Sequence, residues 1–182
     1  NQPGATNDVS ATAGLNYIAI NNAHALFGDA SQRLVAQVMT GAMYHKLLGQ
    51  NLANAERLFS FSGVQVVDIL GKAVIVTDAA ALFEAGTPDK QKVLSLADGA
   101  AVVMDGSDLI TNIETSNGKE RIETTMQADY TFGLGLKGFT WDTANGGKSP
   151  TSAELATGTN WDLVANSIKG SAGVITIGDA AK

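Results

Sequence analysis

An Asn-Gly dipeptide at residues 117–118 constrains the fold most, because it stands between two stretches of strand-forming residues. A two-residue hairpin loop of type I′ needs positive φ at both central positions, and Asn-Gly supplies it. Such a loop also sets the register of the two arms. It places Glu114 opposite Arg121 and Ile113 opposite Ile122, an ion pair and an apolar pair that both favour this alignment.

The second arm of this hairpin is long and runs from Lys119 to about Trp141, with interruptions at Gly133, Gly135 and Gly138. Glycine inside a strand usually marks a bulge, a bend or a close approach of another backbone. The pattern therefore predicts a long, bent ribbon that projects from a compact body. A ribbon of this kind is a poor way to build a monomer and a common way to build a contact between subunits.

The N-terminal third predicts helix, strand and helix in that order. Apolar residues recur at helical spacing over residues 15–27, with Ser10 as the N-cap and Gly28 as the stop. Residues 34–39 form an apolar run typical of a strand that is buried on both faces. Thr40 is then a candidate N-cap for a helix that continues through Leu52. This order predicts an α/β or α+β layer.

Strand patterns dominate the centre of the chain. Residues 64–70 and 73–77 predict two strands joined tightly, residues 86–88 an exposed loop, and residues 93–104 further strand. Towards the C-terminus, Thr151 predicts a capped helical turn, and Asn160 predicts a cap for a short helix over residues 161–168. Residues 174–177 predict a closing buried strand.

Composition excludes several classes of protein. The 182 residues carry a formal charge of −6 and a pI near 4.7, which disfavours a surface that grips phosphate. No cysteine is present, so disulfides and thiolate metal sites are excluded. No apolar run of about 18 residues predicts a membrane span. The polar stretch at residues 1–8 has the character of a linker, and we expect that a preceding segment has been removed.

No motif predicts catalysis. His24 and His45 lie in different predicted helices without partners at ligand spacing, and the glycines at 133–138 lie in a strand rather than at a strand-to-helix turn. The candidate carboxylate pairs are interpreted as solvated surface acids, namely Asp105 with Asp108 and Glu120 with Glu123. The sequence therefore predicts no catalytic, cofactor-binding or metal-binding residue.

Five aromatic side chains surround the polar loop at residues 142–150. Large aromatics in such a position are either core residues or anchors for a neighbouring subunit, and the sequence leaves both interpretations open. The candidate subunit interface consists of Tyr130, Phe132, Phe139, Trp141 and Trp161.

Several stretches together resemble a known family. In the C-terminal half they are TMQADYTFGLGLKGFTWD at 125–142, SPT at 149–151, ELAT at 154–157, NW at 160–161 and SIKGSAGV at 167–174. In the N-terminal half they are SQRL at 31–34, VM at 38–39, YHKLL at 44–48 and GKAVIVTD at 71–78. With these stretches the chain resembles the major capsid proteins of tailed phages, of the Hong Kong 97 type.

The resemblance implies an α+β fold of the Hong Kong 97 type, with an axial domain and part of a peripheral domain. It assigns residues 1–28 to a linker and a peripheral-type helix, 29–111 to the axial domain, and 112–182 to the peripheral ribbon and the C-terminal return. The family also has an N-terminal arm, an extended loop and a long spine helix, for which this chain has little room. The resemblance therefore implies a C-terminal fragment.

The function implied by the resemblance is mechanical. Copies of the chain are expected to form hexamers and pentamers and then an icosahedral shell that encloses double-stranded phage DNA. Scaffolding or decoration proteins are further expected partners, DNA is held only by enclosure, and no membrane is involved. The expected locations are the virion and, during assembly, the host cytoplasm.

Two other classes of protein stay open at this stage. A non-catalytic binding module of a phage tail, fibre or adhesin would also use a glycine-bent ribbon and Thr- and Asn-rich loops. An enzyme whose site is assembled from scattered acids and histidines would show a concave pocket with convergent carboxylates.

Overall fold

The structure, a computed structural model, describes residues 6–54, 71–118 and 120–182. The chain divides into two compact units. We call the first the sheet unit (Asn1–Ala100 and Lys137–Lys182) and the second the ribbon unit (Ala101–Leu136).

The two units differ in their secondary structure: the described part of the ribbon unit contains strands, and the sheet unit combines strands with helices. Numbered along the chain, the elements are β1 (Thr6–Asp8), α1 (Tyr17–Ala25), β2 (Leu34–Met39), α2 (Gly41–Asn54), β3 (Ala73–Val76), β4 (Phe83–Glu84), β5 (Lys90–Ala97), β6 (Ala101–Asp105), β7 (Ile110–Asn117), β8 (Ile122–Asp129), β9 (Phe132–Leu136), β10 (Phe139–Trp141), α3 (Thr143–Gly146), α4 (Ser152–Ala156), β11 (Trp161–Leu163) and β12 (Gly173–Asp179).

The sheet unit is organised around a mixed six-stranded sheet in the order β1-β12-β5-β2-β3, with β4 also paired to β5. The outer pairs β1 with β12 and β2 with β3 are parallel, whereas the central strand β5 is antiparallel to β12, β2 and β4. The chain thus brings its last strand, β12, into the sheet beside its first.

One face of this sheet carries both long helices. Along β5, Val93, Ser95 and Ala97 are buried while the residues between them are partly exposed, which is the period-two alternation of a sheet covered on one side. Two apolar clusters fill the layer between this face and the helices. They are Leu15, Ile20, Met39, Met43, Leu47 and Val93, and Ala23, Phe27, Leu34, Ala97 and Val174.

Strand β2 differs from the sequence prediction, which had both of its faces buried. Val35 is 47% exposed, so only one face is covered. The register also shifts between Leu34 and Ala36, and this irregularity lets Leu34, Gln37 and Met39 all point into the core although their spacing is not strictly even.

The N-termini of α1 and α2 can be compared with the predicted N-cap residues. Thr40 caps α2 as predicted, since its Oγ1 accepts from the Met43 N–H at 3.2 Å. Ser10 does not cap α1, because the helix begins at Tyr17 and the side chain of Asn16 accepts from the Ala19 N–H at 2.8 Å. Asn is as good an N-cap as Ser, so the propensity argument alone could not choose between the two.

The strand predictions in the centre hold in part. Residues 73–76 form β3, and the exposed loop at 86–88 is present, but the predicted strand at 64–70 lies outside the described residues. The predicted strand over 93–104 is broken, because the chain turns at Gly99, where φ is +66°. Its two parts become β5 and β6 in different units.

Of the two helices predicted near the C-terminus, one is confirmed and one is wrong. Thr151 caps α4 as predicted, and the structure adds that Glu154 completes a reciprocal capping box, with the Thr151 N–H donating to Glu154 Oε2 at 2.6 Å. The predicted helix over 161–168 is wrong. Trp161 instead begins strand β11, which pairs with β10 and directly opposes Trp141. Tertiary pairing overrides the local helix signal here.

Candidate assembly interface

The ribbon unit is exposed in a way that a self-sufficient domain is not. It consists of two separate two-stranded ladders, β6 with β9 and β7 with β8. Every described residue from 101 to 134 is exposed. Eleven large apolar side chains of this segment are among them: Val102, Val103, Met104, Leu109, Ile110, Ile113, Ile122, Met126, Tyr130, Phe132 and Leu134. Exposed apolar surface on this scale marks a contact with another molecule.

The register of the β7–β8 hairpin differs from the predicted one. Asn117 continues the strand and pairs with Ile122, so Ile113 faces Met126 and Glu114 faces Thr125. The Gly118 N–H donates to the Arg121 carbonyl at 2.9 Å, which continues the same register beyond the last strand pair. The predicted turn at Asn117-Gly118 and the register derived from it are therefore wrong.

This correction has a chemical consequence. In the predicted register, Glu120 would lie on the same face of the ladder as Ile113. In the observed register the strand pairing ends at Asn117 and Ile122, so Glu120 and Arg121 are not among the paired strand residues, and Arg121 forms an exposed ion pair with Glu123 at 3.6 Å. The shift is even, so the division of strand residues between the two faces is unchanged.

The two faces of the β7–β8 ladder have different chemistry. We call one the uncharged face, because it carries no ionisable side chain: Thr111, Ile113, Thr115, Asn117, Ile122, Thr124, Met126 and Ala128. We call the other the acidic face, because it carries three carboxylates: Ile110, Asn112, Glu114, Ser116, Glu123, Thr125, Gln127 and Asp129. In the β-conformation, directly opposed residues share a face, so this division follows from the register.

Two glycines of the β6–β9 ladder lie at positions where the structure leaves room for a larger side chain. Gly133 opposes Met104 and Gly135 opposes Val102, and both lie within a regular strand instead of at the predicted bends. A Cβ at either position would meet its neighbours only at 3.9 Å or more, which is ordinary contact. Gly138 does mark a bend, since its φ is +80°.

A compact junction joins the two ladders. The Gly106 N–H donates to the Thr131 carbonyl at 3.0 Å, and the Thr131 N–H donates to Asp108 Oδ1 at 3.0 Å. The Thr131 hydroxyl also donates to the Asp108 carboxylate at 2.6 Å. The hydrogen bonds from the Thr131 hydroxyl, which is the larger cause, and from the Thr131 N–H lower the pKa of Asp108 below its usual range.

The structure divides the five predicted interface aromatics between the units. Tyr130 and Phe132 are exposed in the ribbon unit, with their rings stacked 6.5 Å apart. Phe139 and Trp141 are partly buried in the sheet unit, and Trp161 is buried there.

The two tryptophans hold the small β10–β11 ladder together. Their rings meet edge to face with centroids 5.0 Å apart. Each indole N–H donates to a carbonyl, Trp141 to Gly147 at 2.8 Å and Trp161 to Leu155 at 3.0 Å. This packing stabilises the turn in which the chain returns to the central sheet.

The histidines and carboxylates that the sequence analysis interpreted as non-catalytic can each be located in the structure. His24 is buried, and its Nε2 lies 2.9 Å from Ser95 Oγ. Burial lowers the pKa of His24, and the positive charge of Lys72 lowers it further. Asp105 accepts from the Ser107 N–H within a local turn, and Asp108 accepts from Thr131 at the junction of the two ladders, so both carboxylates have structural partners. Within the described ranges, no three His, Asp or Glu side chains are grouped to hold a metal.

The candidate interface predicted from the sequence did not include the aliphatic residues of the ribbon unit, such as Ile113, Ile122 and Met126. The signal was available, since apolar and Thr side chains alternate with the carboxylates on both arms. The same alternation also describes a strand buried on one side, so it did not identify an exposed surface. Among the described helices, none is long and apolar enough to cross a membrane.

The chain was compared with known protein families, curated proteins and solved structures. The family model for Gp13-like proteins, described as major capsid protein 13-like, matches residues 1–175. No curated protein sequence matches the chain.

Among solved structures, the chain is similar to the encapsulin in the cryo-EM structure of the holo-SrpI encapsulin complex from Synechococcus elongatus PCC 7942. The TM-score is 0.52, the sequence identity is 9%, and the match covers 98% of this chain and 54% of the encapsulin chain. The chain thus spans about half the length of the encapsulin that it matches.

The encapsulin has the Hong Kong 97-type capsid fold, and the predicted α+β fold of that type is confirmed. The domain boundaries at residues 28 and 111 stay predictions. Since the family model covers nearly all of the sequence, the chain belongs to the Gp13-like family of major capsid proteins.

Proposed function

We propose that this chain is the part of a major capsid subunit through which copies assemble into hexamers and pentamers and then into an icosahedral shell around double-stranded phage DNA. The role is structural and not enzymatic. In this proposal the subunit works in the virion and assembles in the host cytoplasm. Scaffolding or decoration proteins are its further partners.

The exposed apolar surface of the ribbon unit carries the proposal. A two-stranded hairpin is marginally stable in water without a packed face, and this unit leaves eleven large apolar side chains exposed. A shell provides the missing packing, because each subunit repeats the same heterologous contacts around a ring. Many modest contacts then add up to a stable container.

We assign the aromatic residues two roles within this proposal. Tyr130 and Phe132, which are exposed and stacked, contact the neighbouring subunit. Phe139, Trp141 and Trp161 belong to the sheet unit, and we assign them to subunit contacts made by the β10–β11 ladder, where the two tryptophans pack against each other. Rigid aromatic anchors give much contact area for little loss of side-chain freedom.

The charge of the chain fits enclosure of DNA without adhesion to it. At −6 overall, the sequence repels phosphate, so packaged DNA is held by the wall and not by specific contacts. No finding favours the alternative of a tail, fibre or adhesin module.

The test is the assembly state of the full-length protein, measured by light scattering and electron microscopy. We expect rings of five and six subunits and closed shells. A variant with Tyr130→Ala and Phe132→Ala should assemble only at higher concentration, with unchanged circular dichroism of the free subunit. A full-length protein that stays monomeric under all assembly conditions, with and without co-expressed phage proteins, would refute the proposal.

A further inference from the structure

We propose that a neighbouring copy of this chain covers the uncharged face of the β7–β8 ladder and that the acidic face of the same ladder remains in solvent. This inference rests on the proposed function and adds to it which side of the ribbon forms the contact.

The first argument is the composition of the uncharged face. Ile113 and Met126 oppose each other across the ladder and are 65% and 67% exposed. Ile122 and Ala128 extend the apolar surface along β8, and Thr111, Thr115 and Thr124 complete it with β-branched side chains. A surface that lacks ionisable groups and is rich in β-branched residues can be buried against another protein without desolvating a charge.

The second argument is charge, and it favours a second copy of this chain over a basic partner or a nucleic acid. Each copy carries −6, so two copies repel wherever their carboxylates face each other. The acidic face would bring Glu114, Glu123 and Asp129 against a neighbour of the same sign. The uncharged face avoids that repulsion. A basic partner would show the opposite preference, and a nucleic acid would find no cation on the uncharged face.

The third argument is the register of the ladder. The strand pairing ends at Asn117 and Ile122, so Glu120 lies beyond it, whereas the register predicted from the sequence would have placed the Glu120 carboxylate on the same face as Ile113. The uncharged face therefore continues without a charged group up to the pair of Asn117 and Ile122 at the tip. Burial of an unpaired carboxylate would have opposed any contact there.

Two neighbouring threonines provide a matched test. Thr124 lies on the uncharged face opposite Thr115, and Thr125 lies on the acidic face opposite Glu114. Both are exposed, and the chain contains no cysteine. Thr124→Cys and Thr125→Cys in the full-length protein therefore report on the two faces with the same residue type at adjacent positions. Maleimide labelling at each site is measured by peptide mass spectrometry, in intact shells and in dissociated subunits.

We expect assembly to slow the labelling of Thr124→Cys by roughly tenfold or more, since a covered thiol reacts only when the contact opens, and to leave Thr125→Cys nearly unchanged. Equal protection at both sites, protection of Thr125→Cys alone, or no protection in intact shells would each overturn the inference. In those cases shells are still observed, so the proposed function survives. A protein that forms no shells at all refutes the function itself.

A second pair of variants covers the case in which a cysteine prevents assembly. Thr124→Glu places a carboxylate on the uncharged face, and Thr125→Glu adds one to the face that is already acidic. We expect the first to reduce the yield of shells about tenfold or more and the second to have a small effect, because only the first buries a charge at the contact. Equal loss for both variants, with unchanged circular dichroism of the free subunits, would contradict the assignment of faces.

Discussion

The sheet unit and the ribbon unit use similar residues for opposite purposes. In the sheet unit, Val93 and Val174 are buried beneath two helices, and their exposed fraction is at most 1%. In the ribbon unit, Val103 and Ile113 stand on strands of the same alternating pattern and are 69% and 65% exposed. The comparison shows that the same alternating strand pattern is covered by helices in one described part of the chain and is left exposed in the other.

This difference also separates two kinds of stability. The sheet unit has a core that stabilises the free subunit. The ribbon unit has ladder hydrogen bonds and the junction at Thr131, but little buried apolar surface within the described residues. Its strands should become strongly protected only when a neighbour packs on them.

The largest expected difference between the two units is in the free energy of unfolding lost when a phenylalanine is replaced by alanine. Phe27 is fully buried and Phe132 is 58% exposed. Phe27→Ala should lower the free energy of unfolding by about 3–5 kcal/mol, because it leaves a cavity in the core. Phe132→Ala should change it by less than about 0.5 kcal/mol. Urea unfolding of the free subunit measures both, and similar losses would remove the contrast between the units.

A smaller effect is expected from polar atoms in the interior of the sheet unit. Among the described residues, both polar side-chain atoms of Gln37 and the Thr176 hydroxyl are buried without hydrogen-bond partners. Gln37→Met and Thr176→Val should each raise the free energy of unfolding by about 1 kcal/mol, because buried unpaired polar groups are destabilising. Thr124→Val, at an exposed site of the ribbon unit, is the control and should be nearly neutral. A loss of stability from the first two variants would show that these groups are paired.

The free energy of unfolding should depend on pH differently in the two units. In the sheet unit the dependence comes from His24. Its pKa is lower in the folded chain than in the unfolded chain, because the ring is buried and faces the charge of Lys72. The unfolded chain therefore takes up a proton first, and stability should fall as the pH drops below about 6.5. His24→Gln should flatten the urea midpoint between pH 7 and pH 5, whereas His45→Gln, at an exposed position, should not. An unchanged slope in His24→Gln would contradict this prediction.

The smallest effect concerns Asp108 in the ribbon unit. Its pKa is lowered by the hydroxyl and the N–H of Thr131, so the carboxylate stabilises the junction at neutral pH. That stabilisation is complete above the unfolded value of about 3.9 and is lost as the pH falls through the lower folded value. The protection factor of the Thr131 amide, which corrects for the intrinsic pH dependence of hydrogen exchange, should fall in this acidic range and stay constant between pH 7 and pH 5. Asp108→Asn should remove the acid response, and an unaltered response would assign it to another group.

Local signals were predicted well because they depend on neighbouring residues. Thr40 at the start of α2 and the Thr151–Glu154 capping box satisfy N–H groups within three residues of the cap, so their chemistry is visible in the sequence. The division of the hairpin into two faces was also predictable. Strand residues alternate with a period of two, and the register error was even.

Longer-range features were predicted less well. The choice of strand over helix at Trp161 depended on a partner distant in the sequence. Trp161 is drawn into a strand by its pairing with Trp141, twenty positions away in the chain and therefore outside any local window.

The sequence by itself determined the alternation, the caps at Thr40 and Thr151, the acidic balance and the resemblance to major capsid proteins. Only the tertiary structure decided which alternating strands are covered. Val93 and Ile113 belong to the same kind of pattern, and the difference between them is that α1 and α2 pack over one and nothing in the described chain packs over the other. Burial depends on what the rest of the chain brings to a surface, whereas a strand's pattern records only its own side chains.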